Sequence, residues 1–126
     1  MDMTPAMTNA ILLLEDEGLI ALDIESTLVA GGYTNIVTLS TCAQAKKWLE
    51  ENVPALAILD MRLSDGVCTE IALRLSTHSI PFIIHSGAWP DKTEHEAFSA
   101  GHWLRKPAID DELITLVRTL IPDHNA

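Results

Sequence analysis

The chain has 126 residues, 48% hydrophobic and 21% charged, which predicts one domain with its own core and excludes a disordered protein. Eighteen acidic against eight basic residues give a net charge of −10, and the basic residues are scattered, which argues against binding to nucleic acid or to an anionic membrane. No apolar run is long enough to cross a membrane and the N-terminus lacks the pattern of a signal peptide, so we expect a cytoplasmic protein.

The predicted domain fills most of the chain. We expect residues 1–9 to form a disordered N-terminal tail, residues 10–121 to form the single domain and residues 122–126 to form a C-terminal tail. The two cysteines, Cys42 and Cys68, lie in predicted helical segments. They are too few and too isolated to predict a disulfide framework or a zinc site, so we interpret both as small apolar residues in a reducing compartment.

Short apolar runs indicate the strands. The runs at residues 11–14, 56–59 and 82–84 are apolar throughout, which is typical of parallel strands that are covered on both faces. Residues 35–39 alternate more and predict a strand nearer the edge of the sheet, and residues 102–105 predict a short fifth strand.

Helical periodicity fills the intervals between these strands. The predicted helices are residues 19–30 with apolar repeats at Leu19, Leu22 and Leu28, a helix capped by Thr41 and Gln44, residues 67–76, a helix from Asp91 to Gly101, and a last helix from Asp110. Five alternating strands and helices predict an α/β fold with right-handed crossovers. We expect a flavodoxin-like, doubly wound parallel sheet of order 2-1-3-4-5 with five helices in three layers.

Polar residues stand directly after four of the predicted strands, at the sheet edge where open parallel sheets bind ligands. They are Glu15 and Asp16 after the first strand, Asp60 after the third, His85 and Ser86 after the fourth, and Lys106 after the fifth. Carboxylates crowded at such an edge repel one another unless a cation lies among them. We therefore predict a Mg²⁺ site formed by Glu15, Asp16 and Asp60, with the backbone carbonyl of Arg62 as a further ligand.

The same residues suit phosphoryl chemistry. A carboxylate is ionised near neutral pH and can attack a phosphoryl group directly to form an acyl phosphate. We expect Asp60 to be this nucleophile, with the Lys106 ammonium pairing with one phosphate oxygen and the Ser86 hydroxyl donating a hydrogen bond to another.

Four segments together resemble the receiver domain of bacterial two-component response regulators. They are EDE after the first strand, LAILDMRLSDG around Asp60, PFIIHSG at the fourth strand and LRKP at the fifth, and the resemblance covers residues 10–121. It implies that Asp60 is the phosphoacceptor, that Glu15 and Asp16 are the acidic metal pair, and that Lys106 is the lysine of the site. It also implies Ser86 as the switch hydroxyl, Trp103 as the aromatic switch position, and Mg²⁺ as cofactor.

Several positions depart from the usual receiver pattern. The loop DMRLSDG is shorter than usual, Glu15 replaces the more frequent Asp, and His85 precedes Ser86 where a small residue is common. PFIIHSG is also similar to a divergent form of the Pro-Phe-x-Phe-Ala-Thr-Gly motif of one receiver subgroup. Pro81, Phe82 and Gly87 fit that motif, whereas Ile84 and His85 differ from it.

The resemblance implies a receiver, a phosphoacceptor signalling protein rather than an enzyme. No output domain remains after residue 121, so we expect the receiver to stand alone. Its phosphoryl donor would be a sensor histidine kinase or a histidine phosphotransfer protein in a phosphorelay. We expect a monomer or weak dimer that signals to a downstream protein target, without nucleic acid or membrane as partner. One alternative is a pseudo-receiver that acts only as an interaction module. A Mg²⁺-dependent phosphatase of the haloacid-dehalogenase kind is disfavoured because Arg62 stands where its second Asp belongs, and flavin binding because no phosphate loop follows the first strand.

Overall fold

A five-stranded parallel sheet forms the centre of the protein in the computed structural model, which describes residues 5–87, 96–106 and 110–121. Its strands are β1 (Ile11–Leu14), β2 (Ile36–Leu39), β3 (Leu56–Leu59), β4 (Phe82–Ser86) and β5 (His102–Arg105). Their order is β2-β1-β3-β4-β5, and every neighbouring pair is parallel. The predicted 2-1-3-4-5 order and the edge position of β2 are confirmed.

Helices cover both faces of the sheet. They are α1 (Gly18–Ala30), α2 (Cys42–Glu51), α3 (Thr69–Thr77) and the C-terminal helix (Asp110–Leu120), and residues 96–98 are also helical. The predicted cap at Asp91 and the first five residues of the predicted helix from Asp91 to Gly101 lie outside the described residues. Among the helices that can be described, none combines the length and the apolar character that a membrane span requires.

The solid apolar strands are explained by the two cores that they share. Leu12 and Leu14 of β1 lie in the core beneath α2 and α3, whereas Ile11 and Leu13 lie in the core beneath α1 and the C-terminal helix. Successive side chains of a strand point to opposite faces, so a strand covered on both sides is apolar at every position. The three-layer arrangement of the prediction is therefore confirmed.

Two short strand pairs were not predicted. Ala6–Met7 pairs in parallel with Asn52–Val53, and the Thr8 hydroxyl donates a hydrogen bond of 2.9 Å to the Val53 carbonyl. This part of the chain therefore differs from the disordered tail expected over residues 1–9, because backbone pairing and the Thr8 hydroxyl fix it to the segment before β3. The rest of the predicted domain division stays a prediction.

The second short pair closes the loop that follows β3. Arg62–Leu63 runs antiparallel to Gly66–Val67, and Gly66 has φ of 133°, a value that favours glycine. This hairpin occupies the residues where the sequence predicted the start of a helix, so α3 begins at Thr69 rather than at residue 67. The hairpin holds the segment after Asp60 at the edge of the sheet.

Helix α2 has two N-terminal caps. The Thr41 hydroxyl accepts a hydrogen bond of 3.1 Å from the Gln44 amide, as the sequence predicted. The Asp65 carboxylate also accepts bonds from the amides of Cys42 (2.8 Å) and Ala43 (3.0 Å). Asp65 lies in the hairpin loop, so its carboxylate ties that loop to the start of α2.

Candidate functional site

The first part of the site is a group of three carboxylates, which we call the acidic cluster: Glu15, Asp16 and Asp60. Strands β1 and β3 are neighbours in register, with Leu14 opposite Leu59, so the residues that follow them emerge side by side. The Asp60 amide donates a hydrogen bond of 3.0 Å to the Leu14 carbonyl, which fixes this juxtaposition. One carboxylate oxygen from each member of the acidic cluster lies within 4.8 Å of the others. The structure thus brings together the three side chains that the sequence predicted to bind a metal.

Lys106 connects the acidic cluster to the far strands of the sheet. Its amide donates a hydrogen bond of 3.0 Å to the Ser86 carbonyl, which holds the residue at the shared end of β4 and β5. Its ammonium nitrogen Nζ lies 2.7 Å from Asp60 Oδ2 and 3.1 Å from Glu15 Oε1. Charge-assisted hydrogen bonds of this length are among the strong polar contacts of proteins. The predicted meeting of Lys106 with Asp60 is therefore observed.

The ionisation of the site is shaped by burial and by these contacts. Burial raises the pKa of Glu15, and the hydrogen bond from Lys106 only partly opposes this effect. Burial lowers the pKa of Lys106, but the hydrogen bonds to Asp60 and Glu15 outweigh it, so the pKa of Lys106 is raised. Lys106 is accordingly charged at neutral pH. One ammonium group cannot neutralise three carboxylates, so the donor set fits a further hard cation such as Mg²⁺.

The second oxygen of Asp60 faces the hairpin. Asp60 Oδ1 accepts a hydrogen bond of 3.3 Å from the Arg62 amide, so each oxygen of this carboxylate is oriented by a different partner. The Asp60 side chain is 16% exposed, which leaves it open to a small substrate while its orientation is fixed. The backbone of Arg62 lies beside the acidic cluster, and its carbonyl remains a predicted metal ligand.

Ser86 lies on β4 and Trp103 on β5, the two strands that follow β3 in the order of the sheet. Ser86 is the last residue of β4 and is buried, and its carbonyl accepts the bond from Lys106. Trp103 lies opposite Ile84 in the sheet, is half-buried and packs against the core beneath α2 and α3. Ser86 thus lies next to Lys106, at the carboxyl ends of β4 and β5. The switch roles assigned to Ser86 and Trp103 remain predictions.

His85 has a distinctive environment that its sequence position did not reveal. The residue is only 8% exposed, and within the described part of the chain neither ring nitrogen has a hydrogen-bond partner. Burial, followed by the nearby charge of Lys106, lowers the pKa of His85, so the imidazole is neutral. His85 lines a cavity of about 140 Å³ between α1 and the C-terminal helix.

Two contacts near the site were missed by sequence reasoning. The first is the cap that Asp65 places on α2, which spans 22 and 23 residues of sequence. The second joins Cys42 and Cys68, whose sulfur atoms lie 2.7 Å apart. The two cysteines are 26 residues apart in the sequence, and the loop after Asp60 brings them together by folding back onto the start of α2. Neither contact has a local sequence signal, since both depend on the path of that loop.

The chain resembles proteins of known class. No protein-family model matches it. It is 31% identical to the transcriptional regulatory protein KdpE of Staphylococcus aureus over 120 residues. This alignment covers 90% of this chain and 50% of that protein. It is 32% identical over 94 residues to the phyllosphere-induced regulator PhyR of Methylorubrum extorquens, which covers 72% of this chain and 35% of that protein. The chain therefore spans half or less of the length of these curated relatives.

Solved structures agree with these relatives. SdrG from Sphingomonas melonis is 30% identical, with 96% of this chain and 99% of that chain covered and a TM-score of 0.73. The receiver domain of a putative LuxO repressor protein from Vibrio parahaemolyticus is 23% identical, with 92% of each chain covered and a TM-score of 0.78. The receiver domain of the Francisella response regulator 1452 is 21% identical, with 92% and 98% covered and a TM-score of 0.75. The last two show the shared fold, and with the sequence relatives they establish that this chain belongs to the receiver-domain family of two-component response regulators.

Proposed function

We propose that Asp60 accepts a phosphoryl group from the phosphohistidine of a sensor histidine kinase or a histidine phosphotransfer protein. The observation that carries this proposal is the Asp60 carboxylate itself, held by Lys106 Nζ at 2.7 Å and by the Arg62 amide at 3.3 Å inside the acidic cluster. A carboxylate fixed in this way is a nucleophile that needs no general base. An Asp60 oxygen attacks phosphorus, the bond from phosphorus to the donor imidazole nitrogen breaks, and that nitrogen keeps the bonding electrons.

Glu15, Asp16 and Asp60 would hold the Mg²⁺ that this chemistry requires. When bound, Mg²⁺ offsets the repulsion between the carboxylates and the incoming phosphoryl group. Glu15 is buried and has a raised pKa, and a neighbouring cation would favour its ionised form. The Arg62 carbonyl is proposed as an additional oxygen ligand. These assignments follow the donor chemistry of the acidic cluster.

Lys106 and Ser86 would bind the phosphoryl group after transfer. The Lys106 ammonium already contacts the Asp60 oxygen and can move onto a phosphoryl oxygen as a point charge. The buried Ser86 hydroxyl would donate a hydrogen bond to another phosphoryl oxygen, and we assign the accompanying change of surface to Trp103 and the end of β4. The signal would pass from there to a downstream protein target.

The setting of this function is also part of the proposal. We infer a cytoplasmic protein, a monomer or weak dimer, in which residues 10–121 form the receiver. Its net charge of −10 disfavours nucleic acid and anionic membranes as partners. Membership of the receiver subgroup with the Pro-Phe-x-Phe-Ala-Thr-Gly motif is proposed on Pro81, Phe82 and Gly87.

The test is phosphorylation of the purified protein by acetyl phosphate with Mg²⁺, followed by intact mass spectrometry at low temperature. We expect one phosphoryl group per chain, and none when a chelator removes Mg²⁺. Asp60→Asn, which keeps the shape of the side chain, should show no adduct. A wild-type protein that binds Mg²⁺ but never gains the phosphoryl mass would instead be an interaction module that works without phosphorylation.

A further inference from the structure

A pair of cysteines lies between α2 and the loop that follows Asp60. Cys42 is the first residue of α2 and Cys68 is the residue before α3, and both are free thiols. Their sulfur atoms lie 2.7 Å apart, within about 1 Å of the roughly 2.05 Å length of a disulfide bond. A small rotation of either side chain would bring the sulfur atoms to bonding distance.

We propose that Cys42 and Cys68 form a reversible intramolecular disulfide when the protein meets an oxidant of the low-molecular-weight disulfide class. The two thiols differ in access, which decides which of them reacts first with a dissolved disulfide. Cys42 is half-buried at the start of a helix, whereas Cys68 is 1% exposed and packs in the core beneath α2 and α3. Cys42 is therefore the residue that a dissolved disulfide can reach, and Cys68 is the residue that resolves the product.

The exchange balances in two steps. The Cys42 thiolate attacks one sulfur of the small disulfide, a mixed disulfide forms on Cys42, and the other half of the reagent leaves as a thiolate. The Cys68 thiolate then attacks the Cys42 sulfur, the bond between Cys42 and Cys68 forms, and the second half of the reagent leaves. The two protons of the protein thiols end on the two released thiols. The protein loses two electrons and two protons, and the reagent gains them.

Hydrogen bonds hold the backbone on both sides of the pair in place. The Asp65 carboxylate holds the Cys42 amide at 2.8 Å, and the Cys68 amide donates a bond of 2.9 Å to the Met61 carbonyl. The Cys42 thiol also lies 3.7 Å from the Gly66 carbonyl. The loop between Met61 and Cys68 is thus held against α2 before oxidation, which keeps the two sulfur atoms close to each other.

The environment of the thiols makes the exchange slow. Burial raises the pKa of both thiols, and the negative charge of Asp65 adds to this effect. A protonated thiol is a poor nucleophile, so a brief exposure to an oxidant leaves the pair reduced. Sustained exposure to a small disulfide would be needed, which suits a site that responds to the prevailing redox poise.

The experiment uses the full chain in mixtures of oxidised and reduced glutathione at fixed ratios. After equilibration, N-ethylmaleimide in denaturant blocks the remaining thiols, including the buried Cys68, and intact mass spectrometry counts them. We expect wild-type protein to lose two hydrogens and to take no maleimide as the proportion of oxidised glutathione rises, and we expect dithiothreitol to restore two reactive thiols. Peptide mapping without reduction should then find Cys42 joined to Cys68.

Single variants test the order of the steps. Cys68→Ser should stop at the mixed disulfide on Cys42, and Cys42→Ser should react more slowly because Cys68 is buried. The proposal is overturned if folded wild-type protein carries glutathione on one or both cysteines, or forms disulfide-linked dimers, without the internal bond. It is equally overturned if both thiols take maleimide at every ratio. The wild-type result decides the matter even if a variant fails to fold.

Discussion

At the scale of single residues, the site keeps a buried carboxylate where burial opposes its charge. Glu15 is almost fully buried, its neighbours in the acidic cluster are also carboxylates, and Lys106 is shared between Glu15 and Asp60. Groups arranged in this way reduce stability in the absence of a cation. Functional sites commonly carry such a local conflict, because the missing charge is supplied by the ligand.

Replacing Glu15 by Gln should make the metal-free protein more stable at neutral pH. The pKa of Glu15 is raised in the fold above its ordinary value of 4.5, so the unfolded chain ionises this group more easily than the folded one. The wild type therefore loses stability, relative to Glu15→Gln, as the pH rises from about 4.5 through the folded pKa, and below that range the difference between the two no longer changes with pH. Urea unfolding in chelator at several pH values measures this difference.

The matched control for that variant is Glu50→Gln, which changes an exposed carboxylate on α2. We expect only a small change in stability there, because the side chain is exposed. A Glu15→Gln protein that is less stable than the wild type at neutral pH without metal would show that the Lys106 contact outweighs burial.

Replacing Lys106 by Met should impair phosphorylation strongly. Met keeps the apolar stem but removes the ammonium that contacts Asp60 and Glu15. Hydrogen bonds to charged groups contribute about 1.5–3 kcal/mol, which corresponds to a loss of roughly 10-fold to 100-fold in the rate of phosphorylation by acetyl phosphate. The control is Lys46→Met, whose ammonium lies 3.2 Å from Glu70 in an exposed pair. Such pairs contribute little, so a similar loss in both variants would contradict the role of Lys106.

At the scale of elements, the strands were predictable and the loop after Asp60 was not. The apolar runs of β1 and β3 are buried on both faces, so the local sequence was enough to predict their burial. Strand β4 continues through His85 to Ser86, two residues past its apolar run, because its backbone stays paired with β5 there, and both polar side chains are buried. Local patterns give no information about such burial.

Local sequence patterns were also insufficient to predict which helix residues are buried. Leu19 and Leu22 fit the apolar repeat of α1, but their side chains are exposed, so periodicity alone did not identify the buried face. Helix α1 ends as predicted, with Gly32 at φ of 96° as the left-handed stop. The convergence of the acidic cluster with Lys106 followed from the strand order, whereas the contacts of Asp65 and Cys42 depend on a loop path that has no local pattern.

The packing of the residue before β5 against strand β4 can be tested at Gly101. A Cβ atom at this position would overlap side-chain atoms of Ile84 and Phe82 in the core. Gly101→Ala should therefore lower the free energy of unfolding by about 1–3 kcal/mol through overpacking, measured by urea denaturation. Gly18→Ala serves as control, since nothing lies within 4 Å of a Cβ there, and it should be neutral or slightly stabilising. Equal effects at the two positions would contradict the packing described here.

At the scale of the whole molecule, a net charge of −10 surrounds a site that is itself acidic. Bulk cations therefore stabilise the protein weakly by screening, and a specific Mg²⁺ site adds to this by mass action. The three-layer fold explains why the site can be both buried and reachable. The carboxyl ends of β1 and β3 position the acidic cluster, and the loops leave Asp16 exposed.

Mg²⁺ should raise the unfolding temperature more than an equal ionic strength of NaCl. At a free Mg²⁺ concentration of about 100 times its dissociation constant, the expected gain in the free energy of unfolding is about 2.7 kcal/mol. Thermal scans of the wild type and of Asp16→Asn separate the specific effect from screening. An equal response of the two proteins to Mg²⁺ would count against the acidic cluster as the binding site.

The phosphorylated residue can be located directly. Borohydride reduces an acyl phosphate to an alcohol, so a phosphorylated aspartate becomes homoserine and tandem mass spectrometry reads its position. After treatment with acetyl phosphate and Mg²⁺, we expect homoserine at Asp60 in the wild type and no reduced residue in Asp60→Asn. Reduction at Asp16 or at another carboxylate, with Asp60 unchanged, would contradict the assignment of Asp60 as the phosphoacceptor.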